Sequence, residues 1–164
     1  MRVKPVGKVR HRGFTLVELI VAMVILATLA AIAIPSYNSY VLKAHRTEAK
    51  SALLDLASLE ERFFSTHNTY SNLPTDLGYN GQANTNFTVG SGWYQITNLQ
   101  AYPATPPTQA SPGGTPATFT ITASAMNQQM SDTNCLTFSI NSAGQQTATG
   151  SGGDPNASTD CWQN

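Results

Sequence analysis

The sequence predicts an α+β protein in which a long N-terminal helix packs on a small antiparallel sheet. The first observation is an apolar run of 21 residues, 14–34, followed by a stretch with helical periodicity. The second is a change of period after about residue 66, where short runs rich in β-branched and aromatic residues alternate with Pro- and Gly-rich segments. A length of 164 residues suits one domain with a terminal appendage.

Charge is distributed unevenly along the chain. Only 11% of the residues are Asp, Glu, Lys or Arg, against about 25% in average globular proteins. Five of the nine Lys and Arg residues precede Gly13, and neither type occurs after Arg62. Without residues 1–13 the chain has four cations and nine acids, a net charge of −5. Because nucleic-acid binding depends on cations that neutralise phosphates, the sequence makes a nucleic-acid partner unlikely.

The N-terminal third of the chain has the pattern of a membrane segment. Residues 1–13 are short and basic, and Pro5 and Gly7 disfavour a helix there. The apolar run after them is long enough, at 1.5 Å per residue, to cross roughly 30 Å of hydrocarbon. Since its flanking cations are all N-terminal, we expect the N-terminus to stay in the cytoplasm and the residues after Pro35 to be exported.

Residues 36–65 predict a helix with one apolar face that must pack on something. Apolar residues recur at spacings of three, four and seven, namely Leu42, Ala49, Ala52, Leu53, Leu56, Leu59 and Phe63. If this helix continues the apolar run without a break, Pro35 lies in its interior. Proline removes one backbone donor there, and we expect it to bend the helix.

The C-terminal part predicts three or four antiparallel strands, which we expect to cover the apolar face of the helix. The strand candidates are 93–99, 118–125, 135–140 and a weaker 145–149, the last two joined by an NSAG turn at 141–144. Segments 66–91, 102–116 and 150–158 are predicted to be loops.

Glu18 is the exception in the apolar run and admits two interpretations. A carboxylate close to the membrane surface can reach the headgroups, so the residue could be a solvated side chain. A functional role needs a cationic partner. Cleavage between Gly13 and Phe14 would create one, because it leaves a protonated α-amino group at the start of an apolar helix.

The string RGFTLVEL, residues 12–19, followed by an apolar run and Pro35, closely resembles the type III signal of type IV pilins and pseudopilins. The resemblance implies cleavage after Gly13 by a cytoplasmic-face aspartic peptidase that also methylates the new N-terminal Phe14. It further implies that Glu18 recruits each subunit by pairing with the N-terminal amine of a subunit already in the filament. Many relatives have Gly where Ala27 stands. The resemblance implies that in filaments the helix often loosens between that Gly and the Pro, so Ala27 leaves open how far it loosens in this chain.

A second resemblance covers 46–79 and the C-terminal end, with SDTNC, the NSAG turn and CW at 161–162. Both are similar to minor pilins of the PilE kind. This resemblance implies a type IV pilin fold with a leader 1–13 that is removed, a transmembrane and assembly helix 14–35, and an exported domain 36–164 with the sheet and a disulfide loop in 92–164. It also implies pilin subunits as partners, in the inner membrane and then in an extracellular pilus of a Gram-negative bacterium.

Cys135 and Cys161 are the two cysteines of the chain, and both lie in the part expected to be exported. A disulfide is therefore predicted between them, because disulfides persist in oxidising compartments. A metal site is disfavoured, since no His or further Cys lies nearby in sequence. Within the C-terminal loop, Asp154, Ser158 and Trp162 are candidate contact residues, although a Trp beside a bridged Cys more often packs against it.

Catalytic motifs are missing from the sequence. It has no G-x-S-x-G, no P-loop and no H-E-x-x-H, and it implies no cofactor and no metal. We therefore expect a structural pilin, not an enzyme, that promotes pilus assembly, twitching motility and attachment. The alternatives are a DNA-uptake minor pilin, a pseudopilin of a type II secretion system, an unprocessed membrane anchor, and a secretory signal cleaved after Ala33.

Overall fold

The computed structural model describes residues 13–79, 86–105, 115–152 and 157–163. The basic leader before Gly13 and parts of the predicted loops at 102–116 and 150–158 lie outside these residues. The chain divides into two compact units, one ending at Ser39 and the other beginning at Tyr40, and each is described by itself.

The first unit consists of the N-terminal part of helix α1, which spans Leu16–His67. Every side chain from Gly13 to Ser39 is exposed. By length and composition, the apolar part of α1 is sufficient to cross a membrane. Pro35 lies inside α1, and the bend expected there stays a prediction.

The second unit contains the rest of α1 and one antiparallel sheet. Within the described residues the sheet has five strands, and their order in the sheet is their order in the chain. A short 3₁₀ helix, Asn127–Ser131, follows the third strand, and helix α2, Ala157–Gln163, ends the unit. The strands are β1 Phe87–Val89, β2 Tyr94–Tyr102, β3 Thr118–Ala125, β4 Thr137–Asn141 and β5 Gln146–Thr149.

The core lies between the second half of α1 and one face of this sheet. Ala49, Leu53 and Leu56 on the helix are completely buried, which is the apolar face that the spacing in the sequence predicts. The inward residues of the sheet belong to the same core, among them Ile96, Leu99, Phe119, Ile121, Ala123, Phe138, Ile140 and Ala148. Alternate residues of β3 are buried, as expected for a sheet covered on one face.

A β-bulge in β2 keeps its apolar residues on the inner face. Tyr94 and Ile96 are buried at even positions, whereas the next buried residue is Leu99. The register against β3 shifts between Ile96 and Asn98. The extra residue of the bulge changes the alternation by one position, so that Leu99 also points into the core.

The structure confirms the α+β class and the antiparallel sheet on a long helix, and it corrects the count of three or four strands to five. The additional strand is β1, in the segment predicted to be a loop. β2 also continues to Tyr102, because residues 100–102 pair with 118–120, whereas β4 begins at Thr137 and not at Cys135. Helix α2 begins in the predicted 150–158 loop, and its seven residues carry no clear apolar period.

Glu60 is a carboxyl group inside the core. Its side chain is completely buried on α1. One oxygen accepts the Ser71 N–H at 3.0 Å, and the other has no hydrogen-bond partner among the residues that the structure describes. Burial raises the pKa of Glu60 to about 7, although the Ser71 N–H opposes this shift. The carboxyl group holds the segment after α1, where Ser71 also donates to Asp76 at 2.6 Å.

We expect the free energy of unfolding to fall as pH rises from about 4.5 to about 7, because of the Glu60 carboxyl group. In that window the unfolded chain loses a proton that the folded chain keeps, so the unfolded state gains relative to the folded state. Above about pH 7 both states are ionised and the effect levels off at roughly 3 kcal/mol at most. Chemical unfolding of the full chain in detergent across this range would measure the slope.

Glu60→Gln should remove most of this slope, because the amide does not titrate. Glu61→Gln is the matched control and should keep most of the slope, because Glu61 is exposed and its charge raises the pKa of Glu60 less than burial does. If the free energy of unfolding of the Glu60→Gln variant depended on pH as much as that of the unchanged chain, Glu60 would not be the group responsible.

Candidate assembly site

The N-terminus of α1 is closed by a reciprocal pair of side chains, Thr15 and Glu18. The Thr15 N–H and hydroxyl both donate to Glu18 Oε2, at 3.2 and 3.0 Å. The Glu18 N–H donates in return to Thr15 Oγ1 at 3.2 Å. This T-x-x-E arrangement is a capping box, which satisfies backbone donors that an α-helix leaves unpaired at its start.

Sequence reasoning missed the cap, although its signal, a Thr three residues before a Glu at the start of an apolar run, was present. The cap accounts for one oxygen of Glu18 inside the chain itself. Oε1 of Glu18 makes no hydrogen bond within the described residues. The carboxylate therefore keeps an oxygen with which it can accept a bond from another group.

The bond between Gly13 and Phe14 lies just outside the helix. Neither residue is helical, and the side chain of Phe14 is 82% exposed. A Cβ built on Gly13 would meet no atom within 4 Å. Exposed, non-helical backbone of this kind is where proteolytic cleavage is sterically easiest.

The C-terminal region is closed by a disulfide between Cys135 and Cys161, whose Cα atoms are 5.8 Å apart. The indole N–H of Trp162 donates to the Thr147 carbonyl at 2.9 Å, and its ring packs edge-on against Phe138. Trp162 is thus a packed residue of α2, in keeping with the usual behaviour of a Trp next to a bridged Cys.

Helix α2 also covers the outer edge of β5. The Ala148 N–H, on the side of β5 away from β4, donates to Ser158 Oγ at 3.0 Å. Ser158 therefore satisfies backbone groups of an edge strand that would otherwise be open to pairing with another chain. Asp154, the third candidate contact residue, lies outside the described residues.

A buried polar network fixes α1 to the connection between β3 and β4. Arg46 forms a bidentate ion pair with Asp132, at 2.6 and 2.7 Å, and its side chain is only 11% exposed. Gln129 is fully buried and bonds Asp132, the Tyr94 hydroxyl and the ring of His45. Burial raises the pKa of Tyr94 to about 12, which keeps this hydroxyl protonated.

This network decides which cations remain accessible. Arg46 is committed to Asp132, and Lys50 is partly buried and donates to the Trp162 carbonyl at 3.3 Å. Lys43 and Arg62 are the exposed cations of the part of the chain that the structure describes. In the same residues there is no group of three or more His, Cys, Asp or Glu that could hold a metal ion.

The comparisons with known proteins agree with this geometry. A family model described as "Type IV minor pilin ComP, DNA uptake sequence receptor" matches residues 35–139, well over half of the chain. The chain belongs to this type IV minor pilin family. A second model, the prokaryotic N-terminal methylation motif, matches residues 8–34.

A curated relative supports the same family. The type IV major pilin protein PilA of Myxococcus xanthus (strain DK1622) is 39% identical over 70 residues. The match covers 43% of this chain and 32% of that protein. The chain thus spans about a third of the length of this relative of the pilin family.

Replacing both cysteines by serine should lower the free energy of unfolding by about 3 kcal/mol. The disulfide closes a loop of 26 residues, and in the loop-entropy model opening such a loop increases the entropy of the unfolded chain by this amount. The midpoint of chemical unfolding measures the change. Reduction of the unchanged chain is the control and should give a similar loss. An unchanged midpoint in both samples would contradict a stabilising role for the bridge.

Proposed function

We propose that the chain is a structural subunit of a type IV pilus, a minor pilin that enters the fibre through the N-terminal part of α1. The observation that carries the proposal is the combination of a capped, entirely exposed apolar helix segment with a second unit that buries its own apolar residues. Family membership supports the proposal.

The exposed segment of α1 needs two different environments in turn. Large apolar side chains such as Leu16, Ile25 and Ile32 are more than half exposed, and leaving this surface in water is unfavourable. A lipid bilayer covers it before assembly, and the same segments of neighbouring subunits cover it in the fibre. In this proposal a prepilin peptidase cuts after Gly13 and methylates Phe14, and the match to a methylation motif supports that step.

Glu18 has a defined part in this scheme. Cleavage would leave a protonated amine on Phe14, one residue before Thr15 of the cap. A carboxylate in an apolar environment is tolerated when it is paired with a cation, and Oε1 of Glu18 has no partner in the described chain. We therefore assign Glu18 two roles, to cap its own helix through Oε2 and to pair with the N-terminal amine of a neighbouring subunit.

A second candidate is a DNA-uptake minor pilin, because the matching family model is described as a DNA uptake sequence receptor. The charge distribution argues against it. Of the four cations after Gly13, Arg46 is held in a buried ion pair and Lys50 is partly buried. Salt-dependent affinity for duplex DNA would favour this candidate. No observation of this kind favours the other alternative, a pseudopilin of a type II secretion system.

A pair of variants tests the double role of Glu18. Glu18→Gln keeps an acceptor oxygen for the cap but removes the charge, whereas Thr15→Val removes the hydroxyl of the cap and keeps the charge. Glu18→Gln should insert and be cleaved normally, yet enter fibres at least tenfold less well, the loss that corresponds to about 1.4 kcal/mol. Immunoblots of sheared fibres, normalised to the processed chain in the membrane, give the measurement.

Thr15→Val is the control and should incorporate close to the level of the unchanged chain. Normal incorporation of Glu18→Gln would leave Glu18 as a helix cap alone. Equal losses in Glu18→Gln and Thr15→Val would assign the defect to the helix start and not to the charge.

A further inference from the structure

A groove runs along one flank of α1 in the second unit. Its volume is about 530 Å³, and it lies between the helix, Tyr79 and the turn that joins β1 to β2. Its lining is mostly apolar, with two carboxylates and several hydroxyl groups at its margin. The lining residues of the helix are Ala44, Thr47, Glu48, Ser51, Ala52 and Asp55.

The carboxylate of Glu48 is fixed by the β1–β2 turn. Ser91 donates to it twice, through its N–H at 2.9 Å and its hydroxyl at 3.2 Å. The turn can approach this closely because residue 90 is glycine. Gly90 has a φ of +56°, and a Cβ on it would lie 2.8 Å from Glu48 Oε2.

Asp55 lies two turns of α1 beyond Glu48, on the same flank. It is exposed, and the Tyr79 hydroxyl is 3.5 Å from it. Burial, and next the charge of Asp55, raise the pKa of Tyr79. In the described part of the chain neither Glu48 nor Asp55 forms an ion pair with a cation. The groove thus combines an apolar wall with negative charge that no ion pair in the described residues neutralises.

This combination fits a lysine side chain. A lysine places its aliphatic stem along apolar surface and keeps its ammonium group at a polar margin. Ala44, Ala52 and Val89 offer the apolar surface, and the two carboxylates offer acceptors for the ammonium group.

Lys43 is the exposed lysine of the described residues, and in its own subunit it lines a different pocket and not this groove. At 100° per residue, Lys43 lies about 140° around α1 from Glu48 and about 120° from Asp55. A cation and an acidic groove that form no ion pair within one subunit can pair between copies. Repetition of such a head-to-tail contact generates a helical filament.

We infer that this groove receives Lys43 of a second copy of the chain, as a contact between neighbouring globular domains in a fibre. The inference rests on the proposed role as a pilus subunit. The contact is electrostatic at its margin and apolar along its wall, so it orients copies that α1 has already brought together.

Charge reversals in the full chain test the contact. Asp55→Lys and Lys43→Glu should each lower the amount of chain in sheared fibres by about fivefold, the scale of a partly exposed ion pair. The double variant should return to within about twofold of the unchanged chain. All readings are normalised to the chain in the membrane fraction, so that poor folding is not counted as poor assembly.

The matched control combines Asp55→Lys with Arg62→Glu. It has the same net charge as the double variant, but Arg62 is about 10 Å beyond Asp55 along α1 and does not line the groove. It should stay low. Recovery by this control to the same degree, a double variant that stays low, or single variants without effect would overturn the inference. Absence of the unchanged chain from fibres would instead contradict the proposed function itself.

Discussion

The rest of the molecule depends on the exposure of apolar side chains between Leu16 and Ile34. The large ones are between 51% and 74% exposed, and such a surface has to be removed from water. A membrane can cover it, and so can equivalent helices of other subunits. In the proposed function, this constraint accounts for the capped helix start and for the association of the segment with a membrane and then with copies of the chain.

The second unit provides a stable body for this segment. Its part of α1 contributes Ala49, Leu53 and Leu56 to the core with the sheet, and the Arg46–Asp132 pair joins the helix to the β3–β4 connection. Removing one partner of such a buried pair usually costs several kcal/mol, because the other charge remains buried. The disulfide then closes α2 over the edge of β5, so that the sheet presents no free strand there.

The sequence was sufficient for the features that depend on long periodic patterns. The bounds of β3 agree with the predicted 118–125, and the apolar face of α1 has the expected residues. β1 was missed because three residues are too few to show a period, and α2 because pairing and a disulfide, not periodicity, hold it in place. The sequence also did not predict the hydrogen-bond and ion-pair partners of Glu60, Asp132 and Glu48. Each pairs with a residue whose position is set by the tertiary fold.

The central claim is that this chain becomes a fibre subunit through processing at the start of its exposed helix. Mass spectrometry of the N-terminal peptide of the chain recovered from sheared fibres tests it most directly. We expect a peptide that begins at Phe14 and carries a methyl group on its amine. A chain that begins at Ile34, or that retains residues 1–13, would contradict it.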